Sequence, residues 1–383
     1  MKKIFLILVA SVVLKCVYSQ QIVWDDSSLK LAYVNRDDAK YRRAIDVIVR
    51  KADGILKLAD FPSVTKKKKS EYSEDLHHYL SFATYAWPNP ETKDGLPYII
   101  KDGKTNKNAV REVQDYSRLI ALSDRIETLA LAYYFTKEKK YASRLASLAR
   151  VWFIHPESKM APNFNHAQVV KGRNNGRIEG IIEARFFIPV LDGIQLAYSA
   201  GAFPDSDYLS MKEWFRSFKT WMEVSTTGKK GMNLKNNIGT SYQMQRMAYN
   251  IFIGDPELNK QILSENVEPL LAKQFGDRGE QSLELRRTKS QQYSIANLRY
   301  WLDIKSILSN SKLAFSDQQE AVLERGFNYL SQNGEVDDDS HNRRFKQMGQ
   351  VWRKKDFLSN LFSKNTLDLD SYENAVFVLT RGY

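Results

Sequence analysis

The apolar residues of RLIALSDRIETLALAYYFTKEKKYASRLASLARVWFI, residues 118–154, recur at three- and four-residue intervals and are interrupted once, by TKEKK. That spacing is the period of an amphipathic α-helix, so the stretch predicts two helices joined by a short polar turn. Similar hairpins are predicted at 178–222 and 234–272, and the segments 294–310 and 316–333 give another pair. No run alternates apolar and polar residues for more than a few positions, as a half-buried strand would. Hairpins recurring about every forty residues point to an α/α array whose members stack or close a ring. No shift of composition marks a boundary, so residues 20–383 read as one domain.

The first nineteen residues stand apart. MKKIFLILVASVVLKCVYS has a basic start, an apolar stretch and small residues at Val17 and Ser19, which suits a signal peptide of residues 1–19. Lys15 interrupts the apolar run too early for a bilayer-spanning helix, so no integral membrane segment is expected once this piece is removed. Lys15 also precedes Cys16, where lipid attachment would want a small residue. Cys16 is the chain's one cysteine, so the mature protein would have neither disulfides nor thiol chemistry. The expected location is the periplasm or the exterior.

Losing Lys2, Lys3 and Lys15 lowers the net charge from +12 to +9. A basic exported protein meets anionic partners. Nothing resembles a nucleic-acid module, and the run KKKK at 66–69 reads as a solvated loop. An acidic polysaccharide is the partner that fits.

Two long non-helical stretches, residues 80–110 and 156–177, are rich in Trp, Tyr, Asn, Arg and His. Loops of that composition on a helical scaffold build binding faces. Phosphate-binding, dinucleotide, zinc-protease and serine-hydrolase motifs are missing, and no metal site or other cofactor is expected. Of the five histidines, His155 reads as a helix-end residue and His341 as solvated within DDDSHNRR. His77, His78 and His166 flank the loops and are functional candidates.

Glu179 and Glu183 lie one helical turn apart and could serve a glycoside hydrolase, although Arg177 and Arg185 are natural ion-pair partners for them. A uronic-acid polymer can instead be cut without water. The carboxylate at carbon five is neutralised by amide and guanidinium donors, the proton beside it is removed, and the oxygen at carbon four leaves. A tyrosine whose pKa is lowered by an arginine could take that proton and return it to the leaving oxygen. The stretch LELRRTKSQQYSIANL, residues 283–298, supplies Arg286, Arg287 and Tyr293. An arginine-rich loop with a packed tyrosine is the plain alternative.

Further blocks bear on that choice. HHYLSFATYAWPNPETKDGLPYIIKDGKTN, LALAYYFTKEKKYA, PNFNHAQVVKGRNNGRIEGIIEAR, NNIGTSYQMQ and ELRRTKSQQYS resemble, in order, the successive signatures of the alginate lyase superfamily. The likeness runs from about residue 76 to about 300, is to the polysaccharide lyases related to family five, and is greatest to family thirty-eight. It implies an all-α, incomplete (α/α)6–7 toroid and metal-free β-elimination on alginate, polymannuronate or glucuronan. By position, Asn237 resembles the carboxylate-neutralising asparagine, Arg287 the site arginine with Arg286 as near alternative, and Tyr293 the base and acid. Tyr85, Trp87, His166, Arg173, Asn174, Arg177 and Asn236 resemble substrate-binding positions. The family block usually reads NNHG, and here Ile238 replaces its histidine. Either Tyr293 performs both proton transfers, or His166 or His77 substitutes in space, or the chain binds acidic glycan without cutting it.

Overall fold

The computed structural model describes residues 21–333, 347–348 and 368–381. Residues 1–19 and His341, for which a signal peptide and a solvated ring are expected, lie outside them. The architecture is the expected helical toroid. Helices α1 (Asp26–Val34) and α2 (Ala39–Leu56) lead into the first long loop, which ends in the short α3 (Lys107–Glu112). The predicted 118–154 hairpin is α4 (Asp115–Thr136) and α5 (Lys139–Phe153), and Lys137 takes a left-handed conformation in the turn between them. A second long loop, a 3₁₀ helix (Ile178–Phe187) and α6 (Ile188–Ser199) follow, and α6 packs back on α4.

The chain continues through α7 (Asp205–Val224), α8 (Thr226–Met232) and α9 (Asn237–Ile253). Nearly every residue of α9 is buried, as expected of an inner helix enclosed on all sides. It packs against α7, the 3₁₀ helix and, beyond the short α10 (Leu258–Ile262), α11 (Glu268–Gln274) and α12 (Ser282–Leu285), the long α13 (Ser290–Asn310). After α14 (Asp317–Asn333), the last described helix, α15 (Tyr372–Arg381), packs on α1 and α2 and so brings the first and last described segments together. Asp25 N–H donates to Thr380 O at 2.8 Å, and the buried Asp192 of α6 accepts from the backbone N–H groups of Ile22, Val23 and Trp24.

The ten-residue 3₁₀ helix replaces the α-helix expected there. Its turn of three residues sorts the side chains cleanly. Ile181, Ala184 and Phe187 are buried, and Phe187 sits among Phe153, Phe164, Trp214, Phe215 and Phe218. The positions between them face a cavity.

The two long loops are pinned to each other rather than lying free. Strand β1 (Leu80–Phe82) pairs in parallel with β4 (His166–Val169), and β2 (Ala86–Trp87) pairs with β3 (Ile99–Ile100). The KKKK run is not uniformly solvated. Lys67 is buried, forms an ion pair of 2.8 Å with the buried Asp115 and donates to the carbonyls of Val64, Leu76 and His78. A buried ammonium without such partners would be prohibitively costly, so Lys67 staples the entry of the first loop to α4. Among the described residues, no helix is long and apolar enough to cross a membrane.

Candidate active site

A cavity of about 980 Å³ opens between the long loops, the 3₁₀ helix, the start of α9 and one face of α13. Asn236 and Asn237 divide two tasks at the start of α9. Asn236 caps the helix, its side-chain oxygen accepting from Ile238 N–H at 3.1 Å. Asn237 begins the helix and donates its backbone N–H to the buried Glu284 at 2.7 Å, and burial pushes that carboxyl's pKa up. The Asn237 side-chain oxygen is buried and has no hydrogen-bond partner among the described residues. Gly239 is required because a Cβ there would lie 2.0 Å from Leu234 O. The motif is thus packed against the preceding turn, and the second asparagine's amide is left for the cavity.

Arg287 and Tyr293 line the same cavity, and the Arg287 backbone N–H donates to the backbone carbonyl of Glu284, whose carboxylate holds Asn237. Arg287 lies over the Tyr293 ring, 4.0 Å from its centroid, and grips Asp102 of the first loop through two bonds of 2.7 and 3.2 Å. Asp102 also accepts from Thr288 N–H at 3.0 Å, and its carboxyl is held down at about 2, chiefly by Arg287. Tyr293 O–H donates to the Tyr85 hydroxyl at 2.9 Å.

The expectation that the neighbouring arginine lowers the Tyr293 pKa is not met. Burial raises it well above the ordinary value and the bond to Tyr85 raises it further. Arg287 pulls in the opposite direction, but Asp102 offsets that charge. Without substrate, the phenol is held protonated.

Six of the expected site residues line the cavity: Tyr85, Arg177, Asn236, Asn237, Arg287 and Tyr293. Five do not. Arg286 is exposed outside it, which separates the two adjacent arginines. Trp87 spends its indole N–H on Lys104 O at 2.9 Å. Asn174 accepts from Val170 N–H within a turn, and Arg173 is exposed beside it. His166 stacks on His78 with 5.2 Å between ring centroids, and burial followed by the neighbouring His78 lowers its pKa. His77 bonds Lys159 O, so neither His77 nor His166 takes the place of the missing family histidine. Ile238 lines the cavity itself, and no histidine does so among the described residues.

Glu179 and Glu183 both reach the cavity, with different partners from those expected of a simple pair. Arg177 holds Glu179 through two bonds, as expected. Glu183 does not pair with Arg185. It accepts from the hydroxyls of Tyr79 at 2.7 Å and Ser81 at 2.8 Å, and burial raises its pKa. Sequence reasoning missed Asp102, Gln168, Tyr116, Tyr300 and the free face of Arg185, all of which line the cavity. Gln168 is held at φ +54°, a conformation rare outside glycine, which turns it out of the strand ladder. Asp102, Gln168 and Arg185 lie inside the family-like blocks, whereas Tyr116 and Tyr300 lie in none of them.

The helical toroid thus gathers amide, guanidinium and phenol groups in one cavity, and the protein is a polysaccharide lyase. Known proteins narrow the class. The alginate lyase family model matches residues 63–341, and the chain belongs to that family. The crystal structure of an alginate lyase from Bacteroides ovatus is similar, at 28% identity and a TM-score of 0.86, covering 94% of this chain and 99% of that one. A histidine-to-alanine variant of alginate lyase A1-III complexed with tetrasaccharide shares the fold at 13% identity and a TM-score of 0.55, covering 88% of this chain and 91% of its own. No curated protein matches the chain by sequence.

Proposed function

We propose that this protein cleaves a polyuronate, of the alginate, polymannuronate or glucuronan type, by β-elimination carried by Asn237, Arg287 and Tyr293. The observation that carries the reading is their meeting in one cavity, with Tyr293 and Arg287 in ring contact.

The uronate carboxylate lies against the Asn237 amide and the Arg287 guanidinium. Spreading its charge over these donors stabilises the enolate-like transition state. Tyr293, as phenolate, takes the proton from carbon five. The electron pair left behind forms the double bond between carbons four and five as the bond to the glycosidic oxygen breaks. That oxygen receives the proton back from Tyr293. One chain end becomes a 4,5-unsaturated uronate, the other a free hydroxyl, and the enzyme is regenerated without added water, metal or cofactor. One phenol handling both transfers implies a syn elimination, and Ile238 leaves no imidazole beside Asn237 to share the work.

The test is a panel of the three polymers, monitored in the ultraviolet for the conjugated product. Wild type should generate absorbance on at least one polymer, and Tyr293→Phe should lose about 10²- to 10⁴-fold in kcat. Binding without absorbance on every polymer would leave a glycan-binding protein instead. New reducing ends without absorbance would indicate hydrolysis. We further propose export through residues 1–19, in which case N-terminal sequencing of the exported protein should begin at Gln20.

A further inference from the structure

Five arginines line the cavity, and four of them already hold carboxylates of the protein. Arg177 holds Glu179, Arg287 holds Asp102, and Arg299 and Arg381 share Asp303. Arg185 holds none among the described residues. Its sequence neighbour Glu183 is occupied by Tyr79 and Ser81, as described above.

The Arg185 guanidinium is nonetheless fixed in place. It donates to Ile182 O at 2.8 Å, reaches the Tyr116 hydroxyl at 3.4 Å and lies 4.3 Å from the centroid of the Phe186 ring. A guanidinium has five N–H donors, and these contacts use two of them. The group is charged, oriented and short of acceptors inside a cavity meant for a polyanion.

Two independent rulers place it away from the elimination site. Arg185 lies six residues beyond Glu179 on the same face of the 3₁₀ helix, a rise of about 12 Å, and Glu179 is close enough to Arg287 to feel its charge. Tyr300, whose electrostatic influence on Arg185 is the largest among its polar neighbours, lies seven residues beyond Tyr293 on α13, about 10 Å. The backbone anchors of the two groups are thus offset by about 10 to 12 Å, room for more than one sugar carboxylate.

We propose that Arg185, with the Tyr116 hydroxyl beside it, binds the carboxylate of a second uronate residue of the same substrate chain, separate from the one neutralised at Asn237 and Arg287. This rests on the polyuronate reading above. It adds that the enzyme selects chains carrying carboxylates on more than one sugar in the cavity. A bidentate guanidinium–carboxylate contact of this kind is geometrically specific as well as strong.

The experiment measures steady-state rates on the polymer that wild type cleaves, and binding of short uronate oligomers to the Tyr293→Phe protein by calorimetry. Arg185→Gln should raise KM by about 10- to 100-fold, with kcat within about threefold and an unmoved pH profile. Arg185→Lys should recover part of that loss. The Tyr293→Phe protein should bind oligomers with reduced carboxyl groups more weakly than native ones, and adding Arg185→Gln should remove part of that preference, the remainder belonging to Asn237 and Arg287. A folded Arg185→Gln protein with unchanged KM would overturn the proposal. So would an affinity loss of equal size for native and carboxyl-reduced oligomers when Arg185→Gln is added to the Tyr293→Phe protein. Should Arg185→Gln fail to fold, equal affinity of Tyr293→Phe for native and carboxyl-reduced oligomers would overturn it alone. Absence of unsaturated product from wild type would instead count against the lyase reading, and the binding arm would still judge Arg185.

Discussion

Two regions of the same cavity treat their polar groups in opposite ways. Around Asp192, Asp303, Tyr372 and Arg381, the groups are matched within the protein. Asp192 takes three backbone N–H groups, Arg381 binds Asp303 and Ser306, and Tyr372 meets Thr128 at 2.8 Å and Glu127 at 3.3 Å. These contacts tie the first and last described segments into the toroid. About 15 Å away along α13, the Asn237 side chain at the Tyr293 end makes no hydrogen bond among the described residues, and between the two regions Arg185 has no carboxylate among the described residues. A buried polar group left unsatisfied costs about 1 to 3 kcal/mol. A fold tolerates that cost where a ligand completes the set, so the unfinished region is where chemistry is expected and the finished one is structural.

The sharpest way to break this contrast is to remove the unfinished amide. Asn237→Ala should reduce kcat by about 10²- to 10³-fold, while thermal unfolding shifts little, because the variant keeps the backbone N–H that Glu284 receives. An unchanged kcat would mean that the Asn237 amide has no bearing on catalysis.

The pH profile sharpens the same region. Burial and Tyr85 hold Tyr293 protonated, and the elimination needs its phenolate. Below its pKa the phenolate fraction grows tenfold per pH unit, so kcat/KM should rise with pH from neutrality into the alkaline range. A profile flat between pH 7 and about 9 would show that Tyr293 does not need to lose its proton there.

The finished region predicts an effect on stability rather than rate. Burial raises the Glu127 carboxyl from 4.5 to about 7, with Asp124 adding to the shift and Tyr372 and Lys51 opposing it. Between those values the folded protein keeps a proton that the unfolded chain has lost. Stability therefore falls as pH rises through that window and levels off above it. Glu127→Gln should remove a decline on the order of 2 kcal/mol, measured as the difference between variant and wild type in denaturant unfolding at pH 5 and pH 8. Parallel curves for the two proteins would contradict this assignment.

The smallest effect belongs outside both regions. His166 is stacked on His78 and does not line the cavity, so His166→Ala should change kcat/KM by less than about threefold. A larger loss would return a histidine to the site.

Much of this was legible in the sequence because helices announce themselves locally. The three- and four-residue spacing of 118–154 is answered by α4 and α5, and the ordered blocks gave the family and the group of Asn237, Arg287 and Tyr293. What escaped depends on distant partners. Asp102 meets Arg287 across 185 positions, Lys67 looks solvated until Asp115 is folded against it, and Arg185 looks paired until Tyr79 and Ser81 occupy Glu183. The Trp87, Arg173, Asn174 and His166 positions belong to the right loops but are turned to structural uses or to solvent. The switch from α to 3₁₀ at 178–187 was also invisible, although it decides that Glu179, Ile182 and Arg185 share one face.

The central claim is that one uronate is held with its carboxylate between Asn237 and Arg287 and its carbon five facing Tyr293. A crystal structure of Tyr293→Phe with a bound uronate tetramer measures this directly. The account predicts one carboxylate within hydrogen-bonding distance of both the Asn237 amide and the Arg287 guanidinium, with carbon five of that sugar against the ring at position 293. An oligomer seated in the cavity with its carboxylates turned away from Asn237 and Arg287 would contradict it.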